Sequence, residues 1–238
     1  MPYIRVWDSI SRFVWLIEPF VAGKHMTGDA RPSGCKLLKS KDYRSMPWKN
    51  GRGVTLEIAR QPAAGQEFAW RLSLAQIAGD CDFSAYPGYR RALVLVTGQC
   101  LRLRFRGHGS CLLGPDRRGT RFQGDWQTHC AVPQGCCTDL SLIVRGGSGE
   151  RPACIVRAPR VLRIGSSRRV TLAAGLHGAL FGLDGSVAVT ESAGARPRSL
   201  RTRDSLLLFP GAQRILSLRN LGPNPAQLVL LQWRPRRD

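Results

Sequence analysis

The sequence predicts an all-β fold made of two related β-units, and three observations predict it. Apolar residues recur with period two in short runs, the 26 Gly and 15 Pro of 238 residues punctuate those runs, and the order of strands and turns in the first half returns, shortened, in the second. With 43% hydrophobic and 22% charged residues, the chain has enough apolar side chain to bury a sizeable core.

Residues 1–35 read as an N-terminal extension. Tyr3 to Val21 is apolar and aromatic, but Arg5, Asp8, Arg12 and Glu18 interrupt it, so no run long enough to span a bilayer exists and a membrane partner is not expected. The stretch Trp15 to Val21, with Glu18 inside it, is a poor signal peptide. Trp7, Ile10, Val14 and Phe20 fit one face of an amphipathic helix, and the segment reads as nonessential to the body that follows.

The first β-unit covers about 36–155. Val54, Leu56 and Ile58 alternate with Thr55, Glu57 and Ala59, a turn follows at Gln61-Pro-Ala-Ala-Gly-Gln, and Trp70, Leu72 and Leu74 alternate with Arg71, Ser73 and Ala75. A hairpin symmetric about Ala64 sets Glu57 opposite Arg71 and Thr55 opposite Ser73, the polar pairs on one face. Next come Ala92 to Val96, a turn at Gly98, and Leu101, Leu103 and Phe105 with Arg102, Arg104 and Arg106 facing the other way. Gly124-Asp125, Val132-Pro133-Gln134-Gly135 and the apolar Leu140 to Val144 complete the unit. The second unit, about 156–238, repeats that order at Ala179 to Leu183, Gly185, Val187 to Thr190, Asp204, Leu206 to Phe209, Pro210-Gly211 and Ile215 to Leu218.

Lys and Arg number 36 against 16 Asp and Glu, a net charge of +20 carried almost wholly by Arg. Such a balance favours anionic partners, including weak non-specific contact with nucleic acid through Arg102, Arg104, Arg106, Arg157, Arg160, Arg163, Arg168, Arg169 and the tail Arg234, Arg236 and Arg237. An arginine bias also follows from genome composition alone. No recognition helix, zinc finger or aromatic-interleaved platform accompanies these residues, so sequence-specific readout is not expected.

The eight Cys, which include the adjacent Cys136 and Cys137, form no Cys-x-x-Cys pair, and the four His stand apart from them. Reduced, mostly buried thiols in a cytoplasmic protein are the expectation, with no metal and no cofactor. His129 and His177 read as structural histidines. Trp48, Trp70, Phe83 and Tyr86 read as core aromatics, although Trp48 and Trp70 are also suited to stacking on a planar ligand.

A Gly-Asp before a strand and a Pro-x-Gly after it resemble the second signature of the cupin barrel, a small jelly roll. That family's His-x-His pair is absent here, and Cys136, Cys137, Thr138 and Asp139 stand where its last His belongs. The strongest motif runs from Met46 to Ala59, Met-Pro-Trp-Lys-Asn-Gly-Arg-Gly-Val-Thr-Leu-Glu-Ile-Ala. With Trp70-Arg-Leu-Ser73, Asp82-Phe-Ser-Ala-Tyr-Pro-Gly88, Arg91 and Asp139-Leu-Ser141, it resembles the HutD/Ves family of bicupins over about 36–238. The resemblance implies two tandem cupin-like jelly-roll barrels, a soluble bacterial protein associated with histidine utilisation, and a pocket for a small carboxylate of the formylglutamate or urocanate type. It brings no established catalytic activity. Two positions depart from the family pattern: Arg52 interrupts the glycine turn, and Ser141 stands where Asn is usual.

Independently of the family, these residues suit an anion. Lys49, Arg71, Arg91 and the backbone N–H groups of the Asn50–Gly53 turn, with Gly51 inside it, are candidate donors, with Trp48, Thr55, Ser73, Ser84 and Asp139 as further candidate ligand-binding residues. Glu57 is assigned to orient Arg71 or to bind a substrate N–H, and the residues leave open that this is the wet face of a hairpin. An enzyme of the deformylase or isomerase type, with Glu57 as acid or base beside Arg71, is the alternative to a regulatory binding protein. The oligomeric state is not legible.

Overall fold

In the computed structural model, residues 34–48, 53–62, 67–146, 154–191 and 195–236 are described. The expectations for the N-terminal extension, apart from Gly34 and Cys35, therefore lie outside the described residues. The described chain is almost entirely strand, with one 3-10 turn at Ser40–Asp42. Its first half contains β1 (Cys35–Leu38), β2 (Arg44–Pro47), β3 (Gly53–Gln61), β4 (Trp70–Ile77), β5 (Cys81–Phe83), β6 (Tyr89–Thr97), β7 (Leu101–Phe105), β8 (Gly109–Leu113), β9 (Gly119–Gln123), β10 (Thr128–Ala131) and β11 (Cys137–Arg145). The second half contains β12 (Ile155–Val156), β13 (Arg160–Ile164), β14 (Ser167–Leu172), β15 (His177–Asp184), β16 (Ser186–Thr190), β17 (Arg198–Arg201), β18 (Ser205–Leu208), β19 (Arg214–Asn220) and β20 (Ala226–Arg234).

The strands form four antiparallel sheets, one six-stranded and one four-stranded in each half. The first half orders its strands β2-β3-β4-β11-β6-β9 and β5-β10-β7-β8. The second has β1-β18-β15-β20, with β12 and β13 both on the far side of β20, and β14-β19-β16-β17. Adding nine to each label of β4-β11-β6-β9 and β5-β10-β7-β8 reproduces the second half's order, so the halves repeat in topology. The repeat read from turn signals follows this through β16 and then runs one strand out of step, because Leu206 to Leu208 lies in β18, the counterpart of β9, and Ile215 to Leu218 in β19, the counterpart of β10. Four strands stand outside the shared order: β2 and β3 beside β4, β12 beside β20, and β1. β1, first in sequence, hydrogen-bonds to β18 with Cys35 opposite Leu208 and Leu38 opposite Ser205, and so crosses the division at 155/156.

Alternation explains the layering. On β4 and β11 one set of side chains (Trp70, Leu72, Leu74, Leu140, Leu142, Val144) packs against Ala179, Phe181, Val229, Leu231 and Trp233 of the other six-stranded sheet. Each six-stranded sheet covers its own four-stranded sheet with its opposite face. In the second half that inner space is filled by aliphatic residues such as Leu162, Leu180, Val187, Leu216 and Leu228. In the first half Leu93, Leu95, Leu101, Leu103 and Leu113 fill only part of it. The remainder is polar.

The crossing β1 is held by Asp204, which is 4% exposed. Its carboxylate accepts from Lys39 Nζ at 2.9 Å, from the Ser40 N–H at 3.1 Å and from the Arg201 N–H at 3.3 Å. Tyr43 Oη donates to the Arg203 carbonyl at 2.6 Å and lies 2.8 Å from Ser205 Oγ. Asp204→Asn retains the shape and removes the charge that these donors require. It is expected to lower unfolding free energy by about 2 kcal/mol, read as a shift in urea midpoint at constant m. An unchanged midpoint would show that β1 is held by sheet pairing alone.

Candidate functional site

The partly filled inner space of the first half holds a cavity of about 290 Å³ against the inner face of its six-stranded sheet. Register arranges that face as a grid. Thr55, Ala75, Asp139 and Leu95 lie in one row across β3, β4, β11 and β6; Glu57, Ser73, Ser141 and Leu93 in the next; Arg71, Ile143 and Arg91 in a third. Period two along each strand sends this set inward and the aliphatic set to the opposite face.

The hairpin register differs from the one symmetric about Ala64. Thr55 pairs with Ala75 and Glu57 with Ser73, and a bulge at Ile58 then shifts the pairing so that Arg60 faces Arg71. An extra residue on one strand moves every later partner by one, which turn length alone does not reveal. Glu57 consequently has no ion pair with Arg71. It does not line the cavity and instead borders a separate depression with Arg44, Ile58 and Arg60.

Of the sequence-predicted residues, Trp48, Thr55, Arg71, Ser73, Ser84, Arg91 and Asp139 line the one cavity. Lys49, Asn50 and Gly51, with Arg52, lie outside the described residues. Phe83 and Tyr86, expected in the core, line the cavity as well, as do Ala75, Asp82 and Ser141. Period-two alternation on β11 was the available signal for Ser141, two residues from Asp139. Trp70 is core, edge-on to Trp233 at 5.1 Å and beside His177 at 5.5 Å.

Trp48 is fixed at the rim by its indole N–H, which donates to Thr55 Oγ1 at 2.8 Å, and by the bond from its backbone N–H to the Gly53 carbonyl at 2.9 Å. A Cβ at Gly53 would collide with the Gln76 carbonyl oxygen and fall 2.9 Å from Trp48 Cε3. Glycine is required there because both backbone and ring come so close.

The two arginines rest on aromatic faces. Arg71 lies 5.4 Å from the Phe68 ring and 5.5 Å from the Tyr86 ring, and its Nη2 donates to Tyr86 Oη at 3.0 Å. Arg91 lies 4.9 Å from Phe122, 5.0 Å from Phe83 and 5.7 Å from Tyr86, with Nη1 donating to the Ser84 carbonyl at 3.3 Å. These contacts hold the guanidinium planes without a carboxylate in bonding distance. Burial pushes Arg91 down to about 10, partly offset by Asp139. Burial likewise pushes Asp139, 1% exposed, up to about 7, with Arg91 opposing.

Four buried polar atoms on lining residues meet no hydrogen-bond partner among the described residues: Arg71 Nε, Arg91 Nε, Asp139 Oδ1 and Ser141 Oγ. Buried polar atoms are normally paired, so these four are free to hydrogen-bond to a molecule within the cavity. Two guanidiniums beside one carboxyl whose proton affinity is raised by burial are chemically suited to an anion with a second, hydrogen-bonding end. The same set does not suit the divalent metal common in cupins, since both arginines repel a cation. Among the described residues no group of three His, Cys, Asp or Glu has metal-holding geometry.

The family model described as HutD matches residues 40–222. The chain belongs to the HutD family. A Pseudomonas putida protein described as an uncharacterized 21.2 kDa protein in the hutC 3′ region is 39% identical over 112 residues, 47% of this chain and 58% of its own length. A Ves protein of Citrobacter koseri is 47% identical over 60 residues, 24% of this chain and 31% of its own. The chain thus spans 58% and 31% of the lengths of these curated relatives. Two solved structures match over nearly their whole length. A Pseudomonas aeruginosa protein of unknown function, 30% identical, superposes with TM-score 0.73 over 84% of this chain and 99% of that one. HutD from Pseudomonas fluorescens, 27% identical, superposes with TM-score 0.66 over 85% and 100%. Bacillus subtilis oxalate decarboxylase, at 10% identity and TM-score 0.58, covering 85% of this chain and 77% of its own, shares only the all-β cupin-like fold.

Elsewhere, Cys136 is exposed and Cys137 buried, so only the second of the adjacent thiols packs as expected. Burial pushes the Cys137 thiol up to about 12. His129 Nδ1 lies 2.8 Å from Asp82 Oδ1 at the surface. Arg102 and Arg104 alternate outward from β7. No helix among the described residues is long and apolar enough to cross a membrane.

Proposed function

We propose that this HutD-family chain binds a small carboxylated metabolite of the formylglutamate or urocanate type and acts as a regulatory component of histidine utilisation rather than as a catalyst. The observation that carries this is the convergence of four unpartnered buried polar atoms, from two arginines, an aspartate and a serine, on one cavity of about 290 Å³. Arg71 and Arg91 receive the carboxylate, Asp139 and Ser141 bond the ligand's other polar end, and Trp48, Phe83 and Tyr86 enclose its planar body. The relative in the hutC 3′ region and the likeness to HutD from Pseudomonas fluorescens support the link to histidine utilisation. The Glu57 and Arg71 acid-base pair of an enzyme reading is not assembled, since Glu57 borders a different depression.

Binding in this cavity is tested by thermal unfolding with urocanate, formylglutamate, histidine, glutamate and formate. A ligand at 100 times its Kd adds about 2.7 kcal/mol, a rise of several degrees in Tm for a chain of this size. The shift is expected with one of the acids and is expected to vanish in Arg71→Ala. No shift with any acid, or an equal shift in the variant, would overturn the assignment.

A further inference from the structure

The two halves share one strand order, yet they differ at one edge. β18, the counterpart of β9, is covered by β1, whereas among the described residues no strand pairs with the outer side of β9. Along that open edge, between β9 and residues 154–159, runs a groove of about 660 Å³, larger than the cavity described above. We propose that this groove is a second anion site, for a small molecule carrying two or more phosphates.

Arginine dominates the lining. Arg90, Arg117 and Arg121 line the groove and Arg91 forms the wall it shares with the inner cavity, while none of its lining residues is acidic. Register sets Arg90 opposite Gln123 and Ala92 opposite Arg121, so Arg90 and Arg121 are diagonal neighbours on one face. No described carboxylate lies within ion-pair distance of Arg90, Arg117 or Arg121. Arg90 Nε is buried with no partner. Arg121 Nη1 donates to the Val156 carbonyl at 2.8 Å, which ties the two walls together.

Like charges that line one groove repel one another, and a multivalent anion offsets that repulsion. Guanidinium forks match phosphate oxygens two at a time, and three forks around one groove suit linked phosphates better than a single carboxylate. Trp126 on the wall offers an aromatic surface beyond the charges. The groove is independent of the carboxylate cavity in every residue except Arg91, so either site can fail without the other.

Calorimetric titration with pyrophosphate, inorganic tripolyphosphate and ADP at fixed, near-physiological ionic strength tests the site. Saturable binding at one site per chain is expected, weakened about tenfold or more by Arg90→Gln and by Arg117→Gln and left unchanged by Arg71→Gln. Arg117 is exposed, so its replacement keeps the test valid if Arg90→Gln fails to fold. Equal affinity for pyrophosphate and ADP assigns the phosphates alone; tighter ADP binding assigns a nucleoside diphosphate. Unchanged affinity in the folded variants, several sites per chain, or preference for duplex DNA with a steep salt dependence would overturn the proposal.

Discussion

Asp139→Asn is expected to stabilise the unliganded protein by about 2–4 kcal/mol at pH 8 and to do progressively less as the pH falls. In the folded chain Asp139 holds its proton up to about pH 7, against an ordinary value of 3.8. A folded-state value above the unfolded one means that the proton favours folding. The contribution is fully present below about pH 3.8 and is lost as the pH rises through 7. Asparagine carries no titrating proton and escapes that loss. The same carboxyl links binding to pH, because protonation removes a negative charge next to the ligand's own carboxylate. Binding of an acid to the wild type therefore tightens as the pH falls through 7, and in Asp139→Asn this dependence disappears. Urea midpoints and ligand-induced Tm shifts from pH 5 to 8 measure both. Parallel pH profiles for wild type and variant would show that Asp139 is ionised throughout.

His177 produces the opposite slope. It is 8% exposed, stacks on Trp233 at 5.4 Å with the ring planes 10° apart, and is pushed down to about 4 by burial between the two six-stranded sheets. The folded chain keeps it neutral where the unfolded chain, at 6.5, takes up a proton. Its contribution is present above pH 6.5 and is lost as the pH falls towards 4, to a total of about 3 kcal/mol. His177→Phe retains the aromatic stack and removes the titration. As the pH falls from 6.5 to 4 the variant is expected to gain stability relative to the wild type, by up to about 3 kcal/mol. The windows of Asp139 and His177 overlap with opposite signs, so the wild type's own profile is shallow there and each single variant exposes the other group's slope. A shallow wild-type profile with both variants equally shallow would remove both assignments.

Both residues illustrate where sequence reading stops. Asp139 was legible as a candidate through the Asp139-Leu-Ser141 block of the family resemblance. Its proton affinity follows from complete burial facing Arg91 across a cavity, which no linear pattern encodes. His177 was legible as structural, but its place between Trp70 and Trp233 joins β15 to β4 and β20 across two sheets. Phe83 and Tyr86 carried the ordinary signal of core aromatics. They line the cavity because two arginines with no ion-pair partner lie against their faces.

Glu57 marks the limit most clearly. Period-two alternation put it on the same face as Arg71, Ser73 and Asp139, and the register bears out that face for all four, yet only the other three line the cavity. With a bulge at Ile58 in the ladder, Glu57 pairs with Ser73 rather than with Arg71. A bulge is settled by how the sheet twists and packs, so a single strand's sequence does not announce it.

The amino-acid sequence by itself determined the all-β class, the strand and turn order that repeats between the halves, the HutD family and most of the residues that meet at the cavity. All of these depend on local alternation, turn chemistry and contiguous motifs, which neighbouring residues encode. Only the tertiary structure decided that β1 crosses to β18, that Glu57 leaves the site, that one half is filled with aliphatic side chains while the other keeps a polar void, and that β9 borders a groove of arginines. These depend on residues distant in sequence sharing one space, where packing, desolvation and register act together.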